Sequence, residues 1–226
     1  MRYFPVNLDI KNKTCLVVGG GGVGQRKIKN LLECEADVRV VSRDLLPELK
    51  DLADTGRITF LGPDYREEYL EGVSLVFAAT DDPGLNLRVS KDAAGRGLWV
   101  NVADVPELCS FILPANVFQG DLSISVSTGG RSPALAARIK KDLETRFGSE
   151  YARLLRILGL IRAKVKSEGR PAGRNREFFL QLVDSELLES LKNNDTKQAD
   201  RILVEILGSG YTLAKLGYEE NQEALS

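Results

Sequence analysis

The sequence predicts an α/β protein in which a parallel-sheet domain is followed by a small α+β segment and a helical C-terminal domain. Three observations carry this. The apolar run Thr14 to Val18 ends in Gly19-Gly20-Gly21-Gly22-Val23-Gly24 and opens into a helical pattern. Strand, glycine turn and helix in that order suit a dinucleotide and make the first domain Rossmann-type. Short apolar segments then alternate with helical ones to about residue 102, the pattern of a doubly wound sheet with right-handed crossovers. After Asn116 the pattern changes to one alternating strand and then to helices alone.

Residues 1–13, with Phe4, Pro5, Val6, Leu8 and Ile10, read as a short lead-in strand and turn packed on the first domain. Strands are expected at 14–18, 38–42, 58–61, 74–79 and 98–102, and helices near 23–34, 46–54, 66–70 and 84–95. Val73 to Ala79 is apolar almost throughout, as a strand covered on both faces should be. In the glycine loop Gly19 provides the tight turn, Gly21 lets backbone approach a pyrophosphate and Gly24 allows close helix–strand packing. The phosphates would meet free N–H groups at the helix start. A purely structural glycine turn gives the same letters; the second strand within about thirty residues favours the nucleotide.

Three later strand ends carry further candidates. At the second, Arg43 suits a 2′-phosphate and Asp44 a ribose hydroxyl, so spacing alone leaves NAD against NADP open. At the fourth, Ala78-Ala79-Thr80-Asp81-Asp82-Pro83 suits a loop passing under a ligand, with Asp82 equally suited to capping the next helix. At the fifth stands Asp104, facing the same crevice as the glycines. The chain contains no histidine, which excludes imidazole bases and His-bound metals and leaves carboxylates as the proton-transfer groups. Asp104 is the best placed of them, although an aspartate before Val105-Pro106 is also ordinary turn chemistry.

Leu122 to Ser127 alternates apolar and small polar residues and reads as a strand paired with 111–118 through Gln119-Gly120-Asp121. Thr128-Gly129-Gly130-Arg131-Ser132-Pro133 then opens a helix, with Ser132 as N-cap; the glycines, the helix start and Arg131 form either a carboxylate cradle or a plain junction. Leu135, Ile139 and Leu143 line a buried stripe on 134–147, flanked by Arg138, Lys140 and Lys141. Further helices fit 150–166, 176–182, 184–193 and 196–207; 167–175 reads as a loop and the tail from Gly217 as frayed.

The totals narrow the partners. There is no run of eighteen apolar residues and no signal-peptide pattern, so a cytoplasmic protein without a membrane segment is expected. Cys15, Cys34 and Cys109 are widely spaced, which predicts buried reduced thiols rather than a disulfide or metal site. Residues 131–176 hold 13 Lys and Arg against Asp142, Glu144, Glu150 and Glu168, leaving 18 against 28 elsewhere. That basic segment is either a solvated helix surface or a surface for a polyanion, nucleic acid or a polycarboxylate.

Phe4-Pro5-Val6, Leu16 to Gly21 with Arg26-Lys27, Ala78 to Asp82, Val100 to Asp104, Ser110-Phe111-Ile112-Leu113-Pro114 and Ser127 to Pro133 together resemble the precorrin-2 dehydrogenase/sirohydrochlorin ferrochelatase family of siroheme biosynthesis. The resemblance runs from about residue 3 to about residue 190 and is to the form without the methyltransferase module fused in some relatives. It implies NAD as cofactor, oxidation of precorrin-2 to sirohydrochlorin and, in some members, insertion of ferrous iron. It also implies a homodimer of three-part chains: a nucleotide-binding domain over 1–113, a dimerisation segment over 114–147 and a helical domain over 148–226. By the same resemblance Gly22 and Val23 lie at the pyrophosphate, Arg43 and Asp44 near the ribose, and Asp104 at the catalytic position. Thr128 sits where some relatives have a serine in the substrate cleft, and Gly129, Arg131, Arg138, Lys140 and Lys141 are candidate contacts for the eight carboxylates of the tetrapyrrole. Gly24 stands where relatives often have alanine, which its packing role permits. Other readings are a tetrapyrrole chelatase or carrier without dehydrogenation, an NAD-responsive nucleic-acid-binding regulator, and a dehydrogenase of an unrelated small substrate.

Overall fold

A computed structural model describes residues 3–169 and 172–219, with 172–174 as backbone only. The chain divides into two compact units, 1–113 and 114–226.

The first unit is organised by a five-stranded sheet. Its strands are β1 (Thr14–Val18), β2 (Asp37–Val41), β3 (Thr59–Gly62), β4 (Val73–Ala78) and β5 (Trp99–Val102), in the order β3-β2-β1-β4-β5. All four pairings are parallel. The crossovers are α1 (Gly22–Glu33), α2 (Pro47–Asp54), a single 3-10 turn at Glu67–Leu70 and α3 (Pro83–Gly95). Successive residues of β1 face opposite layers. Cys15 and Val17 join Ile28, Leu31, Val40, Leu49 and Phe77 on one side of the sheet. Leu16 and Val18 join Val76, Ala78, Val89, Ala93, Val100 and Val102 on the other. Burial on both faces is why these strands are apolar without alternation. The order reverses between β2 and β4 around β1, so a ligand crevice forms at the carboxyl ends of these strands.

In the second unit β6 (Ala115–Gln119) and β7 (Leu122–Val126) pair antiparallel, with Gln119 opposite Leu122. The two-residue turn between them uses a left-handed Gly120, φ 55°. Among the described residues five helices follow: α4 (Pro133–Arg146), α5 (Ser149–Ser167), α6 (Ala172–Asp184), α7 (Leu187–Lys192) and α8 (Thr196–Leu207). Leu154, Ile157 and Ile161 of α5 pack with Leu182, Leu187, Leu191 and Leu203 into a second core, joined by Tyr211.

Several expectations change. The lead-in strand is absent: residues 3–10 pair with no strand, Pro5 offers no N–H, and Phe4, Val6 and Leu8 are exposed. Only the turn after Ile10 forms, tied by Asn12 N–H to Glu35 O and Lys13 N–H to Ile10 O. β6 starts at Ala115 rather than 111 because Pro114 cannot join a ladder. The stripe on α4 is not buried: Leu135 is 50% exposed, Ile139 and Leu143 are half-buried, and only Ala136 is covered. The glycine-containing stretch before Arg176, read as loop, winds into the first turn of α6 despite its low helix propensity; Arg170 and Pro171 of that loop, and 220–226 of the tail, lie outside the described residues. The helix expected from 184 begins at Leu187, since the Ser185 hydroxyl donates to Leu182 O and accepts from Leu187 N–H, ending α6 locally. Of the thiols, all free, Cys15 is buried but Cys34 is exposed and Cys109 half-buried.

Candidate functional site

The site is built from the turn after β1. Gly19 has φ +117°, and a Cβ there would fall on the Ala79 carbonyl, so only glycine fits. Its N–H donates to Val41 O at 2.8 Å. The Gly20 N–H donates to the Ser42 hydroxyl at 2.8 Å, and that hydroxyl donates to Asp44 O at 2.6 Å. The turn is thereby fixed to the end of β2. A Cβ at Gly24 would fall on the Gly19 carbonyl oxygen. The expectation that alanine is permitted at Gly24 is therefore corrected for this turn: its closeness leaves no space for a methyl group.

Gly21 and Gly22 are the opposite case. Nothing lies within 4 Å of a Cβ built on either. Gly21 is the N-cap of α1 at φ −80°, ψ −173°, with no side chain capping the helix and no acidic residue in its first turn. The N–H groups of Gly22, Val23 and Gly24, in the first turn, have no intrahelical acceptor and lie at the positive end of the helix dipole. An uncapped helix start with cleared backbone fits a dinucleotide pyrophosphate. Arg43 and Asp44 are both exposed beyond β2, and no ion pair or hydrogen bond engages the Arg43 guanidinium among the described residues.

The Thr80 hydroxyl is already engaged. It donates to Asn86 Oδ1 at 2.7 Å, and Asn86 Nδ2 donates back to Thr80 O at 2.9 Å. Asn86 is 6% exposed, so the pair locks the loop after β4. Asp82 caps α3 by accepting from Leu85 N–H at 3.0 Å. Asp81 is exposed.

Asp104 stands two residues beyond β5, exposed, with φ 59°. A non-glycine residue held left-handed stores roughly 1 kcal/mol or more and persists only where its surroundings fix it. Here they do. Ala103 N–H donates to Ala78 O at 2.9 Å, and Cys109 Sγ accepts from Val102 N–H at 3.1 Å while lying 3.2 Å from Val102 O and 3.3 Å from Val105 O. The sulfur thus closes a loop around Asp104.

Behind this loop lies a pair to which the sequence alone assigns no role. Lys27 Nζ, on α1, donates to Asn101 Oδ1 at 2.8 Å and sits 5.1 Å from the Phe77 ring centre. Asn101 is 8% exposed. Burial holds the Lys27 pKa below the ordinary lysine value, Arg26 adds to this, and Cys109 and Asp104 oppose it. The contact joins residues 74 apart. Its only sequence signal is the polar Asn101 between two buried valines.

In the second unit Thr128 organises a turn rather than presenting a free hydroxyl. It donates to Ser132 O and accepts from Ser132 N–H, both at 3.1 Å. Gly129 and Gly130 have φ 63° and 80°, and Ser132 caps α4 by accepting from Leu135 N–H at 3.2 Å. Arg131 and Arg138 are exposed. Among the described residues there is no acidic, cysteine or histidine cluster able to hold a metal, and no helix long and apolar enough to cross a membrane.

Three family models match in succession: NAD(P)-binding over residues 6–115, sirohaem biosynthesis protein central over 119–146 and sirohaem synthase dimerisation region over 150–207. Similar proteins include the siroheme synthase of Actinobacillus succinogenes, 38% identical over 90% of this chain and 43% of its own length. Those of Nitrosococcus oceani and Escherichia coli are 35% identical over 93% and 87% of this chain and 45% and 43% of theirs. The chain thus spans less than half the length of these relatives. The structure of SirC, a precorrin-2 dehydrogenase, is 28% identical with a TM-score of 0.74, covering 90% of this chain and 98% of that one.

Proposed function

Because the chain belongs to the siroheme synthase family through these three consecutive domains, we propose that it catalyses NAD-dependent oxidation of precorrin-2 to sirohydrochlorin. The observation that carries the proposal is the open, uncapped start of α1 at the same sheet edge as Asp104. The likeness to SirC along nearly its whole length supports it.

In this reading the N–H groups of Gly22, Val23 and Gly24 hold the pyrophosphate. Gly19, Gly21 and Gly24 keep the turn tight and clear, and Arg43 and Asp44 contact the adenosine ribose. Thr80, through its lock on Asn86, shapes the floor after β4. NAD, when bound, supplies a two-electron acceptor. The Asp104 carboxylate takes the proton that leaves the tetrapyrrole as its two electrons depart. In the second unit Thr128, Gly129, Arg131 and Arg138 are the proposed contacts for substrate carboxylates. The same proposal has the chain act as a cytoplasmic homodimer, with ferrous iron a candidate substrate for a second step.

The test is an anaerobic absorbance assay with precorrin-2 and NAD, then NADP, then ferrous ion. Appearance of sirohydrochlorin only with a dinucleotide supports the dehydrogenase, and a further change faster than uncatalysed metallation adds iron insertion. Folded protein that oxidises nothing with either cofactor refutes the reading and favours a chelatase or carrier.

A further inference from the structure

The contacts between Lys27 and Cys109 form one connected path. It begins on α1, the helix whose N-terminus carries the open glycine turn. Lys27 Nζ donates to Asn101 Oδ1 at 2.8 Å. Asn101 Nδ2 donates to Phe111 O at 3.1 Å and lies 3.7 Å from Cys109 Sγ. The amide orientation is fixed from both ends, because an ammonium only donates and a carbonyl only accepts. Cys109 Sγ then pins Val102 and Val105 on either side of Asp104.

We infer that Lys27 is a positioning residue for Asp104, acting through Asn101 and Cys109, and that this path couples the cofactor turn to the loop carrying the carboxylate. The inference rests on the proposed role of Asp104. A lysine that merely lays its stem across the core would leave its ammonium in water. Here the ammonium lies over Phe77 and against a buried amide instead, at the cost of desolvation. Asn101 in turn has no other cation to satisfy its oxygen among the described residues. Loss of the ammonium leaves that buried oxygen unpaired, and the amide holding Cys109 is then free to turn.

The test uses Lys27→Met, which keeps the stem and the packing on Phe77 but removes the charge. Hydrogen exchange of the 102–110 backbone is measured with and without NAD, alongside the NAD Kd by calorimetry and kcat and KM with precorrin-2. Exchange in 102–110 should rise about tenfold as the loop opens locally, and NAD should no longer slow it as in the wild type. The NAD Kd should stay within about twofold, while kcat falls roughly ten- to a hundredfold, the order expected for a displaced reacting group. Cys109→Ser should preserve activity and Cys109→Val should lose it. The double variant Lys27→Met/Cys109→Val should be no worse than either single one, as for residues on one path. Unchanged exchange in Lys27→Met, or losses that simply add, would overturn the inference. Asn101→Asp, which keeps the acceptor for Lys27 but removes the donor, serves the same comparison should Lys27→Met fail to fold. If the wild type oxidises no precorrin-2, the proposed function falls while the exchange measurement still decides the Lys27 path.

Discussion

Replacing Gly21 by alanine separates cofactor binding from folding, because this glycine is empty-sided where Gly19 is crowded. Gly21 already has dihedrals that alanine adopts freely, and nothing lies within 4 Å of the added methyl. Two small effects on stability oppose each other: alanine loses less chain entropy on folding, about 0.4–1 kcal/mol, and is a poorer N-cap by about the same amount. Net change should stay within about 1 kcal/mol, or roughly 4–8 °C in Tm for a domain of this size. Binding is different, since the methyl group stands where backbone meets pyrophosphate. Loss of one charge-assisted N–H contact costs about 1.5–3 kcal/mol, a rise of roughly ten- to 150-fold in Kd at 1.4 kcal/mol per decade. In Gly19→Ala the left-handed backbone and the Ala79 carbonyl both resist the methyl. Strain of about 1–3 kcal/mol adds to overpacking of similar size, so Tm should fall by roughly 10 °C or more. Calorimetric titration with NAD and thermal melts of both variants decide the matter. A folded Gly21→Ala protein that binds NAD like the wild type, or one that melts as early as Gly19→Ala, would refute the reasoning.

Three further outcomes are expected. Asp104→Ala should leave the NAD Kd within about twofold and lower kcat by roughly 10²- to 10⁴-fold, the range for a lost proton-transfer group; loss of NAD binding in calorimetry would instead put Asp104 in the cofactor site. Asn86→Ala removes the hydrogen bonds that tie the buried amide to Thr80 and should destabilise the first unit by about 1–3 kcal/mol in urea melts, with an unchanged midpoint counting against the lock. Burial pushes the Cys15 thiol up to about 11. Its folded pKa lies above the unfolded value, so its contribution is complete below about pH 8.5 and is lost as pH rises through about 11. Iodoacetamide at pH 8 should therefore label exposed Cys34 and spare Cys15 until the protein unfolds; early labelling of Cys15, read by mass spectrometry, would contradict this.

Features with a local cause were legible in the sequence. The glycine turn, the parallel strands and the caps at Asp82 and Ser132 follow from residue types within a few positions of one another. What escaped depends on distant pairing. Lys27 and Asn101 stood in separate motifs with nothing to pair them, being 74 residues apart, and Thr80 looked like a ligand contact because its engagement by Asn86 has no periodic sign. The half-open face of α4 was misjudged for a related reason: spacing defines which residues share a face and is silent on what lies opposite. The lead-in segment was read from apolar content alone, which does not supply a strand with a neighbour.

The strand order also dictates when, during synthesis, the cofactor turn can exist. β1 leaves the ribosome well before β4, its neighbour on one side, which lies nearly sixty residues later. Gly19 packs on Ala79, at the end of that same strand, so the nascent chain carries its glycines without a defined shape until residue 79 has emerged. Closing so long a loop delays the pairing. A ribosome-bound fragment ending within α2 has the letters of a nucleotide-binding motif and lacks the neighbour that shapes it.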